Sequence, residues 1–209
     1  MLPVMLNLED KEAVVFGGGK VAERRVAKLL RAGARVKVVS RSFTPALKKL
    51  QGERLTLVEE ELRGESIAAH LSGAFLVLAA TSNAELNDAI VRLAREKGKL
   101  VNRADGVADF IIPACFEAGD VVIAVSTRGR SPEVAKIIKR RIKKAVTQED
   151  ILLVELQEFL REALKRRITS QAERSRMLRA IARDERILER LRRGDLEGAK
   201  QLALGYLEA

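Results

Sequence analysis

The residues best equipped for chemistry fall in four short segments: Gly17-Gly18-Gly19-Lys20-Val21, Ser40-Arg41-Ser42, Asn102-Arg103-Ala104-Asp105 and Ser126-Thr127-Arg128-Gly129-Arg130. The first, extended to Ala22, fits G-x-G-x-x-G/A between a short apolar run and an amphipathic stretch. In that pattern the first glycine makes the tight turn and Gly19 lets a pyrophosphate approach the backbone. Ala22 then permits close packing of helix on sheet. Free N–H groups and the dipole at the helix start hold the phosphates, so the motif predicts a bound dinucleotide. A P-loop is excluded, because Lys20 is followed by valine and position 14 is also valine.

The end of the second strand discriminates between dinucleotides. An acidic residue there would bind the ribose 2′-OH of NAD, whereas an arginine accepts the 2′-phosphate of NADP; Arg41 leans toward NADP by that rule alone. Thr81 ends the apolar run "FLVLAA", where a sheet edge meets the cofactor crevice. Asp105, after "KLVNRA", is a candidate acid-base group, although Asp-Gly is also a common turn. Ser126, Thr127, Arg128 and Arg130 follow a strand and precede a helix start, a place suited to carboxylate or phosphate groups. His70 and Cys115 read as structural, since no partner for either is evident.

These residues require a particular frame. From Lys11 to Ala104 strand-like runs ("EAVVF", "RVKVVS", "RLTLVE", "AFLVLAA", "KLVNRA") alternate with helical stretches. This predicts an α/β domain with a Rossmann-like, doubly wound, mostly parallel sheet. Ala22, Val26, Leu29 and Leu30 share one face of the first helix, which stops at Gly33. Thr44 with Pro45, and the box Ser82-x-x-Glu85, are expected helix starts. Beyond Asp105 two apolar runs flank a Glu117–Asp120 turn, then Ser131-Pro132 opens a helix. From Thr147 onward the chain reads as helical, with a cap at Ser170 and breaks near Ile168–Ser170 and Arg193–Asp195. The expected organisation is a dinucleotide-binding domain over residues 1–112, a strand-strand-helix unit over 113–146 and a helical region over 147–209.

Composition sets outer limits. Of 209 residues, 47% are hydrophobic and 33% charged, as in a folded globular chain, and no apolar run reaches a membrane span. The N-terminus lacks the basic and long apolar regions of a signal peptide, so a cytoplasmic protein is expected. One cysteine and one histidine exclude a disulfide framework and a Cys/His zinc cage. The net charge of +10 calls for an anionic partner. Nucleic acid is the less fitting choice, because the basic residues alternate with acidic ones along helices and few aromatics are available to stack bases. The abundance of Lys, Arg and Glu also suits a heat-adapted protein.

Four segments, "GGGKVAERRVAKLLRAGARVKVVS", "LAATSNAELN", "LVNRADGVADFIIPA" and "IAVSTRGRSPEVAKIIKRRI", occur in order from about Leu6 to Lys144. Together they resemble the precorrin-2 dehydrogenase family, the N-terminal module of siroheme synthase. The resemblance implies a homodimer that oxidises precorrin-2 to sirohydrochlorin with NAD⁺, the same site also inserting Fe²⁺ in some members. It implies dinucleotide contacts at Gly17, Gly18, Gly19, Lys20, Val21, Arg41 and Ser42 and a catalytic Asp105; Thr81 is expected at the cofactor from its place at the sheet edge, and metal insertion, needing a base and a transient oxygen ligand for iron, could use the same Asp105 without a stable metal site. Asn102, Ser126, Thr127, Arg128 and Arg130 would meet the anionic tetrapyrrole, and Thr127 falls where some members carry a serine. The segment from Pro113 to Lys144 matches the family's dimerisation region. NAD, as implied by the family, outweighs the single Arg41. Two alternatives remain open on the residues alone: another NAD(P)-dependent small-molecule dehydrogenase on the same fold, and an NAD-sensing DNA-binding regulator, for which no clear helix-turn-helix is visible.

Overall fold

Strand β1 (Glu12–Phe16) is apolar almost throughout because it is buried on both faces, the condition that converts alternation into a continuous hydrophobic run. β2 (Arg35–Ser40) and β3 (Leu55–Glu59) extend the sheet on one side, and β4 (Leu76–Ala79) and β5 (Leu100–Arg103) on the other. The order is β3-β2-β1-β4-β5, with every pairing parallel. The computed structural model describes residues 1–106 and 108–207; Val107 and the last two residues of the expected 147–209 helical region lie outside the described residues. The chain divides into two compact units, Met1–Ile112 and Pro113–Ala209.

In the first unit, helices α1 (Lys20–Arg31) and α2 (Pro45–Leu50) cover one face of the sheet through Ala22, Val26, Leu29 and Leu47. Helices α3 (Gly64–His70) and α4 (Ala84–Glu96) cover the other through Ile67, Ile90 and Ala94. Leu30 packs only partly against the first of these cores. Gly33, at positive φ, follows the last turn of α1, and Thr44 caps α2 by accepting from the Leu47 N–H. His70 lies 2.9 Å from Glu60 through Nε2 and packs edge-on against Phe16.

The start of α4 differs from expectation by one residue. Asn83, not Ser82, is the cap, its side-chain oxygen accepting from the Leu86 N–H at 3.0 Å. The cause is Thr81, whose hydroxyl oxygen accepts from the Asn83 N–H and turns the chain so that Asn83 takes the extended cap conformation.

The second unit opens with the antiparallel hairpin β6 (Ala114–Ala118) and β7 (Val121–Val125). Helix α5 (Pro132–Ala145) follows, with Ser131 as its cap. Helices α6 (Gln148–Arg167), α7 (Gln171–Ile181), α8 (Glu185–Arg192) and α9 (Leu196–Leu204) enclose a core centred on Leu156, Leu160, Ile181, Ile187 and Leu191. The break between α7 and α8 was not legible in the sequence. It is made by Asp184, which caps α8 by accepting from the Arg186 N–H and also accepts from the Tyr206 hydroxyl. Among the described residues no helix is long and apolar enough to cross a membrane.

Leu160 has no exposed surface in this helical core. Leu160→Ala is expected to lower stability by about 2–5 kcal/mol in urea unfolding, the usual range for a buried leucine that leaves a cavity. A loss below about 1 kcal/mol would contradict this packing.

Candidate active site

The carboxyl ends of β1 and β4 meet where strand order reverses, the place at which open parallel sheets bind ligands. Gly17 has φ +113° and donates its N–H to the Val39 carbonyl at 2.9 Å. A Cβ at Gly17 would collide with the Ala80 carbonyl, and one at Gly18 with the Ser42 carbonyl. Neither residue tolerates a side chain. At Gly19, by contrast, a Cβ would meet nothing within 4 Å. Gly19 is also the N-cap of α1 and supplies no capping side chain, so no side chain there satisfies the amides that open α1 at Lys20 and Val21. That cradle fits a pyrophosphate, with Gly17 and Gly18 shaping the turn and Gly19 leaving room for the oxygens.

Thr81 stands beside the turn, since the Ala80 N–H donates to the Phe16 carbonyl. Its companion is Asn87 of α4, which is fully buried. The Asn87 side-chain oxygen accepts from the Thr81 N–H at 3.1 Å and lies 2.8 Å from the Thr81 hydroxyl. The Asn87 Nδ2 donates to the Thr81 carbonyl and to Asp105 Oδ2, both at 3.2 Å. One carboxamide therefore uses its whole hydrogen-bonding capacity to join the crevice to the carboxylate. Arg103, at the end of β5, donates to Asp105 Oδ1 at 2.5 Å and to Oδ2 at 3.3 Å, and also pairs with Asp88. The Arg103 hydrogen bond, reinforced by Asn87, holds the Asp105 carboxyl below the usual carboxylate range. Asp105 nevertheless keeps 42% of its side-chain surface exposed, so an ionised oxygen is open to a ligand.

Sequence reading missed Asn87, Asp88 and the clamp formed by Arg103. A signal for Asn87 was present: it sits three and seven residues before Ile90 and Ala94, a polar residue on the buried face of an amphipathic helix.

The other expected site residues are placed as follows. Arg41 is 79% exposed and reaches Glu61 at 4.0 Å, while Ser42 lies against Gly18. Asn102 is buried; its Nδ2 donates to the Phe110 carbonyl at 2.8 Å, and its Oδ1 has no partner among the described residues. In the second unit the 126–131 loop is internally bonded. The Thr127 hydroxyl donates to the Ser131 carbonyl and accepts from its N–H, and Ser126 Oγ accepts from the Arg128 N–H. Arg128 takes φ +54°, unusual for a side chain with a Cβ, and both Arg128 and Arg130 are exposed. The site residues thus gather in two groups: Gly17, Gly18, Gly19, Thr81 and Asp105 in the first unit, and Ser126 to Arg130 in the second.

A wholly parallel sheet with a glycine crevice at its topological switch defines a dinucleotide-binding protein of the Rossmann type. Residues 4–114 match the family model NAD_binding_7, described as NAD(P)-binding. Precorrin-2 dehydrogenase of Methanosarcina barkeri (strain Fusaro / DSM 804) is 40% identical over 195 residues, covering 89% of this chain and 84% of that protein. Siroheme synthase 1 of Aeromonas salmonicida (strain A449) is 32% identical over 204 residues, which span 97% of this chain but 43% of that longer protein. The solved structure of SirC, a precorrin-2 dehydrogenase, superposes with a TM-score of 0.77 at 25% identity and covers 99% of this chain and 100% of its own. The chain belongs to the precorrin-2 dehydrogenase family.

Two outcomes follow for the clamp on Asp105. Ionisation of this carboxyl is favoured by Arg103, so activity that needs the carboxylate persists as pH falls below the ordinary aspartate range. Arg103→Gln is expected to shift the acid limb of the kcat/KM profile to higher pH; an unmoved limb would contradict the clamp. Asn87→Ala is expected to lower kcat by about tenfold or more through loss of orientation, in steady-state assays. Unchanged kcat would separate Asn87 from the chemistry.

Proposed function

We propose that the protein oxidises precorrin-2 to sirohydrochlorin with NAD⁺, yielding NADH and a proton. The observation that carries this reading is the Asp105 carboxylate, ionised, half-open and held by Asn87 to the loop that borders the glycine crevice. When bound, the dinucleotide supplies the hydride acceptor. The chain's own part is to hold the dinucleotide phosphates on the α1 amides, to fix Thr81 beside the crevice, and to take the substrate's proton at Asp105. Arg103 keeps Asp105 charged between turnovers but makes it a weaker base. Because Arg103 also pairs with Asp88, its charge is shared between two carboxylates rather than spent on one.

NAD rather than NADP is supported by Glu61. Its carboxylate lies within 4.0 Å of Arg41 and also pairs with Arg63 at 3.1 Å. A 2′-phosphate on Arg41 would sit beside that negative charge. The tetrapyrrole's carboxylates suit a chain of net charge +10, and the exposed Arg128 and Arg130 are the guanidinium groups assigned to them. In this reading residues 113–146 pair two copies into a homodimer. Fe²⁺ is a second substrate, meeting Asp105 transiently while that carboxylate removes pyrrole protons.

The test is anaerobic incubation of the protein with precorrin-2 and NAD⁺, followed by absorbance. Sirohydrochlorin is expected to accumulate, and its absence would overturn the reading. NADP⁺ is expected to give kcat/KM lower by about tenfold or more, the effect of one misplaced charge; parity would contradict the role of Glu61. Fe²⁺ or Co²⁺ added to prepared sirohydrochlorin is expected to give the metallated product faster with wild type than with Asp105→Ala. Equal rates would remove chelation from the account.

A further inference from the structure

Arg25 occupies the second turn of α1 and is not explained by the fold. Its neighbours at three before, one after and four after, Ala22, Val26 and Leu29, are all buried against the sheet. Arg25 itself is partly buried. Its Nη1 is buried and has no hydrogen-bond partner among the described residues. An arginine can offer its donors to water at almost no cost, whereas burying one unpaired is unfavourable. Such a group persists where a ligand supplies the missing acceptor.

The geometry of α1 indicates which ligand. Helical side chains lean toward the N-terminus, so the Arg25 head points back toward the turn that holds the glycines. At 3.6 residues per turn, Arg25 and Glu23 lie roughly 160° apart around the helix. Glu23 accepts from the Thr44 hydroxyl at 2.6 Å and thereby marks the flank that faces β2 and the 42–44 loop. Arg25 is on the opposite flank. Ala104, adjacent to Asp105, packs on the same core as Ala22 and Leu29, and Asp105 is near enough for its charge to act on Arg25. Burial and the neighbouring Arg24 lower the Arg25 pKa, and the Asp105 charge opposes them.

We infer that Arg25 binds a carboxylate of the tetrapyrrole substrate beside Asp105, its buried Nη1 providing one donor of a charge-assisted pair. This rests on the substrate proposed above. It gives the first unit a cationic substrate contact on the reacting side of the crevice, where the sequence suggested the uncharged Asn102 and the anionic Asp105. A cation there orients the ring to be oxidised and offsets the repulsion between Asp105 and the substrate's negative rim. The other anion within reach of the α1 start is the dinucleotide pyrophosphate, and the two sources are separable.

The experiment compares wild type, Arg25→Gln and Arg25→Lys in three measurements: sirohydrochlorin binding by its fluorescence, NAD⁺ binding by calorimetry, and KM and kcat for precorrin-2. Thermal unfolding of each variant checks that it folds. Arg25→Gln is expected to weaken sirohydrochlorin binding and raise the precorrin-2 KM by about tenfold, the worth of one charge-assisted hydrogen bond. NAD⁺ affinity should stay within about twofold, and Arg25→Lys should fall between. A loss confined to NAD⁺ affinity would reassign Arg25 to the pyrophosphate and overturn the inference. Unchanged affinity for both ligands would also overturn it, leaving a merely buried arginine. If wild type itself neither binds sirohydrochlorin nor oxidises precorrin-2, the substrate reading fails and the inference with it. If wild type does both while Arg25→Gln matches it, only Arg25's role fails.

Discussion

The site depends on how closely β1 and β4 approach at their carboxyl ends. Gly17 follows β1 with φ +113°, and the Ala80 carbonyl fills the space that a side chain there would need. With any other residue the strands would have to separate, and Thr81 would move away from the turn. From Thr81 the dependence runs through a single carboxamide: Asn87 binds the Thr81 backbone and hydroxyl on one side and Asp105 on the other. A steric condition in the backbone is thereby passed to the orientation of an ionised carboxylate two strands' ends away from the glycines.

Electrostatics divide the first unit into an accepting and a donating side. The α1 amides present positive character to phosphates, as any uncapped helix start does. In the proposed reaction Asp105 presents negative charge to the reacting centre. Its ionisation is secured by Arg103, and its separation from solvent is incomplete. This arrangement favours a group that accepts a proton briefly over one that keeps it, because protonating Asp105 means surrendering part of the Arg103 pair. In the proposed reaction, proton release after each turnover is correspondingly easy.

The sheet was legible because burial on both faces makes β1 and β4 continuously apolar, and because α1 carries its buried residues at helical spacing. The glycine turn was legible too, since its three positions have distinct steric duties. Less was visible where a side chain's role is set by its distance in space. Asn87 looked like part of an ordinary helix, and Arg103 like a strand end, until Asp105 was brought beside both. Asn102, expected at the tetrapyrrole, is buried, with its Nδ2 donating to the Phe110 carbonyl, a bond that nothing in its local sequence announces. The break at Ala182–Asp184 escaped notice although its cap is local: Asp184 accepts from the Arg186 N–H, and only its other oxygen is engaged from a distance, by Tyr206 22 residues later.

The most direct measurement is a single turnover of wild type and Asp105→Asn under anaerobic conditions, with NADH and sirohydrochlorin followed together and NAD⁺ affinity determined for each. Wild type should release NADH and sirohydrochlorin one for one. Asp105→Asn should bind NAD⁺ as wild type does and form neither product at a comparable rate. Full-rate turnover by Asp105→Asn, or NADH formed without sirohydrochlorin, would contradict a site in which the glycine crevice and this carboxylate act together.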